Sequence, residues 1–258
     1  IEDGGGWHWD TLTEDMDLSY RVQFAGWKTL FLHDLVVPAE IPEDVNAFKS
    51  QQFRWAKGSI QTALKLLPTL MRQPVPVFQK IQAVFHMSHY MVHPMMLTLS
   101  LLALPVLLTL DMSLGPLAFG AVAVALALSM MAPSTLYLVS QRAAYPDWPQ
   151  RMTALPFLVI VGVGLAVSNT RAVLEAFMGR ESGFIRTPKR GDAERKRYRV
   201  GLPAWSILEI GVGLYCAVSL HVYLVAGKYL IGPFLAIYAA GFLFTGLLTI
   251  AHRLGFER

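Results

Sequence analysis

The sequence is poor in charge and nearly without cysteine. Only 16% of its 258 residues are Asp, Glu, Lys or Arg, against about 25% in an ordinary soluble domain. Residues 81–110, 112–141, 152–170 and 229–252 contain no charged residue at all. Such gaps exclude a wholly water-exposed globular protein. The single cysteine, Cys216, excludes a disulfide within the chain and a cysteine-based metal centre. The formal charge of +4 is modest. Its distribution therefore says more than its sum, and no nucleic-acid partner is expected.

The apolar runs set the architecture. A bilayer core needs about 20 apolar residues per helix, and the mean hydropathy is +0.43. Five segments qualify: 86–110, 116–139, 153–172, 204–226 and 230–251. Basic residues orient them toward the cytoplasm. The link at 111–115 has none, 140–152 holds Arg142 and Arg151, and 171–199 holds nine basic against four acidic residues. If both basic links lie on one side, 153–172 does not cross once between them. With Pro156, Gly162, Gly164, Ser168 and Asn169 in it, the segment reads as an interfacial or re-entrant helix, leaving four spans. Five spans with one basic loop outside is the alternative. Residues 61–85 read as amphipathic helices on the membrane surface, broken by Lys65, Arg72 and Lys80.

The polar start carries the first motif, TLTEDMDLSYRVQFAGW at 11–27. Met16, Leu18, Tyr20, Val22 and Phe24 alternate like a strand. The helical reading is preferred, with Thr13 as N-cap, Glu14 and Asp15 in the first turn and Gly26 as the stop. Residues 27–37, WKTLFLHDLVV, are then expected to form a strand. At the helix start the dipole favours an ionised Asp15, and a fixed carboxylate can serve as general base. From spacing alone, two acids that merely complement a helix start explain the motif as well.

The second motif is QQFRW at 51–55. Arginine clamps phosphate with two parallel bonds, and tryptophan offers a flat apolar face with a polar N–H. Taken alone, the same residues also suit anchoring at a membrane interface. The third is GFIRTPKRG at 183–191. It suits a basic loop over an anionic ligand or against anionic lipid headgroups.

Taken in order, the Thr-Glu-Asp, the Gln-x-x-Arg-Trp about forty residues later, the membrane helices and the Phe-x-x-Thr-Pro-Lys loop resemble the processive family 2 glycosyltransferases. These include bacterial cellulose synthase and its mannan and glucomannan synthase relatives. SNTRAVLEAFMGRESGFIRTPKRG at 168–191 is similar to the mannan-synthase-like branch, where an interfacial helix leads into a gating loop. The resemblance implies an inverting transfer in which Asp15 deprotonates the acceptor, with Thr13 and Glu14 shaping its surroundings. Gln51 and Arg54 would hold the nucleoside diphosphate of a UDP- or GDP-linked sugar, and Trp55 would stack on the acceptor sugar. Phe184, Thr187 and Lys189 would belong to a loop closing over the donor. Arg186 departs from the small apolar residue of cellulose synthases, which leaves donor choice open. A divalent cation, Mg or Mn, is implied, with its ligands upstream. No metal ligand is assigned within these residues.

The expected fold is mostly α and membrane-embedded. It comprises the C-terminal remnant of a GT-A-type α/β catalytic domain (1–60), interfacial helices (61–85), two spans (86–139), an interfacial helix and gating-type loop (140–200), and two further spans with a tail (201–258). The chain begins at Ile1 in what reads as a domain interior. A fragment inactive on its own is therefore expected. The expected activity elongates a β-linked polysaccharide and passes it through the protein's own channel. Transfer of one or a few sugars to a membrane lipid is the alternative, and a non-enzymatic channel or scaffold a distant third. Accessory subunits are compatible with either enzyme. The expected location is a bacterial inner membrane with the catalytic part cytoplasmic. His86, His89 and His93 share a helical face, but no carboxylate lies nearby in sequence, so a metal site there is set aside. Glu209 lies inside a predicted span near its cytoplasmic end. It either faces the polysaccharide or reaches the interface.

Overall fold

The computed structural model describes residues 1–32, 35–42, 44–109, 115–183 and 204–254. Ten α-helices follow in chain order among them. They are α1 (Glu14–Phe24), α2 (Val45–Arg72), α3 (Val77–Ser88), α4 (Val92–Thr109) and α5 (Pro116–Ala144). Then come the single turn α6 (Trp148–Arg151), α7 (Leu155–Gly164), α8 (Ala166–Phe177), α9 (Ala204–Val225) and α10 (Gly232–Leu254). The chain divides into two compact units. One comprises Ile1–Leu97, Leu165–Trp205 and Leu248–Arg258, the other Thr98–Gly164 and Ser206–Leu247.

The helix α1 starts and stops where its residues dictate. Thr13 occupies the N-cap, and Glu14, Asp15 and Asp17 fill the first turn. Gly26 takes φ 92°, a left-handed conformation that costs glycine little. There Gly26 N–H donates to Gln23 O (3.0 Å) and Trp27 N–H to Val22 O (3.2 Å), a Schellman closure of the helix end.

The strand expected at 27–37 is not formed by its described residues. Its described residues, 27–32 and 35–37, are irregular, and no strand occurs among the described residues. The composition favours extended backbone, but a strand exists only when a neighbour completes its hydrogen bonds. Leu30 and Val36 are at least 84% exposed, so no neighbouring element packs over either.

In the first unit α2 is the central element. Asp44 caps it, its carboxylate accepting from Ala47 N–H at 2.8 Å. The helix runs unbroken through residue 60, so QQFRW and the amphipathic stretch after it share one rod. Ala56 and Ile60 pack with Tyr90, Ala172, Val173 and Ala176. Ala63, Leu66 and Leu70 pack with Ala83 and Met87, with Met16, Tyr20 and Phe24 against them. The apolar positions recur at three and four residues, as an amphipathic helix requires.

A lysine–glutamate pair is enclosed in this unit. Lys57 Nζ lies 3.1 Å from Glu175 Oε2, with side-chain exposures of 0% and 8%. Lys57 also donates to Ser182 Oγ, and Arg171 Nε donates to Glu175 Oε1 at 2.7 Å. Removing one member of a buried pair leaves the other charge without compensation, a loss of about 3–5 kcal/mol. Glu175→Leu is therefore expected to lower the melting temperature of the detergent-solubilised protein strongly. The double variant Lys57→Met/Glu175→Leu should recover most of it. A single variant that melts like the wild type would remove the buried charge from the account of stability.

The second unit is packed through glycine. A Cβ on Gly241 would lie 2.7 Å from Ile160 O, and one on Gly213 would lie 2.8 Å from Leu243 Cγ. Small residues let membrane helices approach closely where lipid supplies no hydrophobic drive. Tyr215 and Tyr223 hydroxyls donate to the backbone oxygens of Leu101 and Ala103 at 2.6 and 2.8 Å, where α4 has Pro105 in its interior. Glu209 is fully buried.

Four helices are long and apolar enough to cross a membrane: Val77–Thr109, Pro116–Ala144, Ala204–Val225 and Tyr229–His252. The first takes in the amphipathic α3, which was expected to lie on the surface, because a 3-10 turn at His89–Met91 carries it into α4 without a break. The fifth apolar segment is a bent pair, Trp148–Gly164 and Ala166–Phe177, meeting at 47°. Such a break suits a re-entrant segment or a broken span.

Candidate active site

The acidic motif is held by one face of α2. Gly58, Gln61, Thr62 and Lys65 recur at i, i+3, i+4 and i+7 and so share a stripe. Gln61 Oε1 accepts from Leu12 N–H at 3.1 Å. The Thr13 and Thr62 hydroxyls meet at 3.2 Å in a buried contact. Gly58 leaves room for the backbone itself: a Cβ there would lie 2.7 Å from Thr13 N and 2.8 Å from Leu12 C. Lys65 Nζ lies 2.8 Å from Asp10 Oδ1 and 2.9 Å from Asp17 Oδ1.

Asp17, two residues beyond Asp15, is the anchor. It is fully buried and pairs with Arg21 at 2.7 Å. The Arg21 guanidinium also donates to Gly4 O and, at 2.8 Å, to Gly6 O, which ties the glycine turn to α1. Burial alone would raise the Asp10 carboxyl, but the Lys65 hydrogen bond and charge outweigh it and hold it below its ordinary value. The spacing of the acidic motif carried no sign of these roles for Asp17, Arg21 and Gly58. The one signal was the lysine and glutamine spacing along α2.

Asp15 itself stays open. Its Oδ1 accepts from Met16 N–H at 2.8 Å, which fixes the carboxylate. Oδ2 has no hydrogen-bond partner among the described residues. Asp15 and Thr13 line a cavity of about 1290 Å³, together with Ser59 and the rings of Tyr20, Phe24, Trp27, Trp55, His86, His89 and Tyr90. Glu14, Gln51 and Arg54 do not line it. Gln51 lies one turn before Trp55 along α2, and Arg54 immediately before it. Phe184, Thr187 and Lys189 lie outside the described residues. The structure thus brings Thr13, Asp15 and Trp55 to one cavity and leaves Glu14, Gln51 and Arg54 outside its lining.

One group of three metal-ligating side chains occurs among the described residues: His8, Asp10 and Asp17. It does not suit a divalent ion, because the Lys65 ammonium stands among the same atoms, 3.1 Å from His8 Nδ1 as well as beside both carboxylates. The histidines at 86, 89 and 93 serve as ring partners rather than as a metal cluster. His86 and His89 stack at 6.3 Å, and Tyr90 and His93 at 5.8 Å. His93 Nε2 meets Asn169 Nδ2 at 3.0 Å.

Comparison with known proteins decides the family. The model for "Glycosyl transferase family group 2" matches residues 1–140. The chain belongs to that family. The whole of 1–140 is thereby glycosyltransferase sequence, from the glycine turn through the acidic motif and α2 to the first two spans. The chain is 27% identical over 261 residues to "Probable glucomannan 4-beta-mannosyltransferase 10" of Arabidopsis thaliana, covering 96% of this chain and 45% of that protein. It is 36% identical over 87 residues to "Glucomannan 4-beta-mannosyltransferase 1" of Oryza sativa subsp. japonica, covering 33% of this chain and 17% of that protein. The glycosyltransferase chain thus spans less than half the length of the first of these relatives. No solved structure matches it. Both relatives are glucomannan mannosyltransferases by name, in line with the mannan and glucomannan synthase resemblance of the motifs.

Proposed function

We propose that the chain is the acceptor-side and membrane part of a synthase that elongates a β-linked glycan from a nucleotide sugar. The observation that carries this reading is the cavity that Asp15 and Trp55 share. An open carboxylate borders it, and rings line much of the wall. Its volume of about 1290 Å³ exceeds the roughly 300–1,000 Å³ of a pocket for one drug-sized ligand. Several sugar units fit such a space better than one. Rings with polar edges suit the alternating apolar faces and hydroxyls of a glycan.

In the reaction the terminal hydroxyl of the acceptor lies against Asp15. As its oxygen bonds to the anomeric carbon of the donor sugar, its proton passes to Asp15 Oδ2. The bond from that carbon to the diphosphate oxygen breaks, and the nucleoside diphosphate leaves with the electron pair. Attack opposite the leaving group inverts the carbon. Met16 N–H keeps the carboxylate in place. Trp55 stacks on the terminal sugar. Gln51, one turn before Trp55, and Arg54, its neighbour in the chain, receive the diphosphate charge. The family generally uses a divalent cation, and no group among the described residues fits one. The product passes outward along the spans. The 4-beta-mannosyl activity in the relatives' names makes β-1,4-linked mannose the first linkage to test.

The test uses membranes carrying the complete reading frame that contains these residues. They are incubated with a panel of labelled UDP- and GDP-linked sugars, and the product is sized. A long polymer digested by a β-glycanase supports the synthase. A short product that partitions with lipid would replace it by a glycolipid-forming transferase.

A further inference from the structure

The cavity wall contributed by α1 and α3 has a chemistry that the acidic motif and Trp55 do not account for. Tyr20 Oη and His86 Nδ1 meet at 2.8 Å across 66 residues of sequence. The contact has two forms, depending on which atom carries the proton. If the phenol donates, His86 Nε2 carries a hydrogen and is a free donor, while the phenol oxygen keeps lone pairs to accept. If Nδ1–H donates, Nε2 is a free acceptor and the phenol O–H a free donor. The pair therefore offers one donor and one acceptor in either form. His86 Nε2 has no partner among the described residues. Burial holds the Tyr20 phenol above its ordinary value, so it keeps its proton at neutral pH.

His89, one turn on, has a fixed tautomer. Its Nδ1 lies 2.7 Å from the backbone oxygen of His86. A carbonyl only accepts, so Nδ1 carries the hydrogen and Nε2 is left as an acceptor. The two imidazoles lie nearly parallel at 18°, with centroids 6.3 Å apart. Both are exposed, and both line the cavity that holds Asp15. Buried polar rings would need internal partners. These have open nitrogens beside a void bordered by a carboxylate and a tryptophan. That arrangement answers to a ligand with many hydroxyls, each both donor and acceptor.

We infer that Tyr20, His86 and His89 form an acceptor-reading wall, which hydrogen-bonds the hydroxyls of the sugar units behind the one at Asp15 and so selects which glycan end is extended. This rests on reading the cavity as the acceptor site. The three are positioning and specificity residues. They take no proton from the reacting hydroxyl, the task assigned to Asp15.

The experiment uses the complete enzyme in nanodiscs, with β-1,4-linked mannose and glucose tetrasaccharides as acceptors. It measures the KM of each acceptor, the KM of the nucleotide sugar and kcat. His86→Leu and His89→Leu are expected to raise the KM of the preferred acceptor roughly tenfold, the size of one or two lost hydrogen bonds. They should also shrink the preference between the two acceptors, while the KM of the nucleotide sugar moves less than twofold. His86→Asn, which keeps a donor and an acceptor, should restore part of the affinity, and Tyr20→Phe should behave as a weaker His86→Leu. Melting temperatures separate these effects from misfolding. Equal changes in donor and acceptor KM, or an unchanged acceptor KM in both leucine variants, overturn the wall while elongation itself stands. An enzyme that extends neither tetrasaccharide but labels lipid overturns the acceptor reading and the wall with it.

Discussion

Replacement of Asp15 by asparagine is expected to lower glycosyl transfer by about 10²–10⁴-fold, the range for losing a positioned general base. The change is nearly isosteric, so the cavity keeps its shape and Trp55 its place. The amide does not take a proton from the acceptor. Because Asp15 lies at the open edge of the cavity and only its Oδ1 is engaged, by Met16 N–H, stability should hardly move. The expected signature is therefore a collapse of kcat with a nucleotide-sugar KM close to normal and an unshifted melting temperature. The neighbouring Glu14 does not line the cavity, and Glu14→Gln should cost much less. If Asp15→Asn retained more than a tenth of the wild-type rate, the base would have to be sought elsewhere. If Glu14→Gln were the more damaging of the two, the assignment within the acidic pair would reverse.

The second large effect is expected at Gly58, a residue with no chemistry of its own. A methyl group there would overlap Thr13 N and Leu12 C, at 2.7 and 2.8 Å. These are backbone atoms, so no side-chain rotation relieves the contact. In Gly58→Ala the segment before α1 must move away from α2, and Asp15, two residues beyond Thr13, moves with it. A displacement on the order of 1 Å in a reacting group is enough to cost about 10²-fold in rate. Alanine is the better helix former by about 1 kcal/mol, so α2 itself gains. The expected result is a folded enzyme whose kcat falls about a hundredfold. Shaving the Thr13 methyl with Thr13→Ser should not restore it, since the backbone contacts remain. Activity within threefold of wild type in Gly58→Ala would show that α2 does not set the position of the acidic motif.

Both predictions bear on what can be read from a sequence. The place of Asp15 was legible: it stands two residues after the N-cap Thr13, in the first turn of α1, all local information. The way it is held was not. Gly58, Gln61, Thr62 and Lys65 lie 45 to 55 residues from the atoms they support, and no periodicity along one segment reveals which face of a second segment it will meet. The three histidines show the same limit. Their shared face was visible, yet only Tyr20, arriving from α1, turns His86 from a helix residue into part of a wall. The expected strand at 27–37 failed for the same physical reason, since pairing depends on a neighbour.

By itself the sequence determined the elements governed by local or solvent terms. Charge-free runs partition into lipid wherever they occur in the chain, so the four candidate spans and the broken fifth segment followed from composition. Thr13 and Gly26 set the ends of α1 through the dihedrals they favour. The tertiary structure alone decided the enclosed Lys57–Glu175 pair, 118 residues apart, the α2 stripe that grips the acidic motif, and the cavity where Asp15, Trp55, His86 and His89 come together. These depend on distances between separate segments. Such distances come from packing the amphipathic faces against one another, and no residue pattern within one segment encodes them.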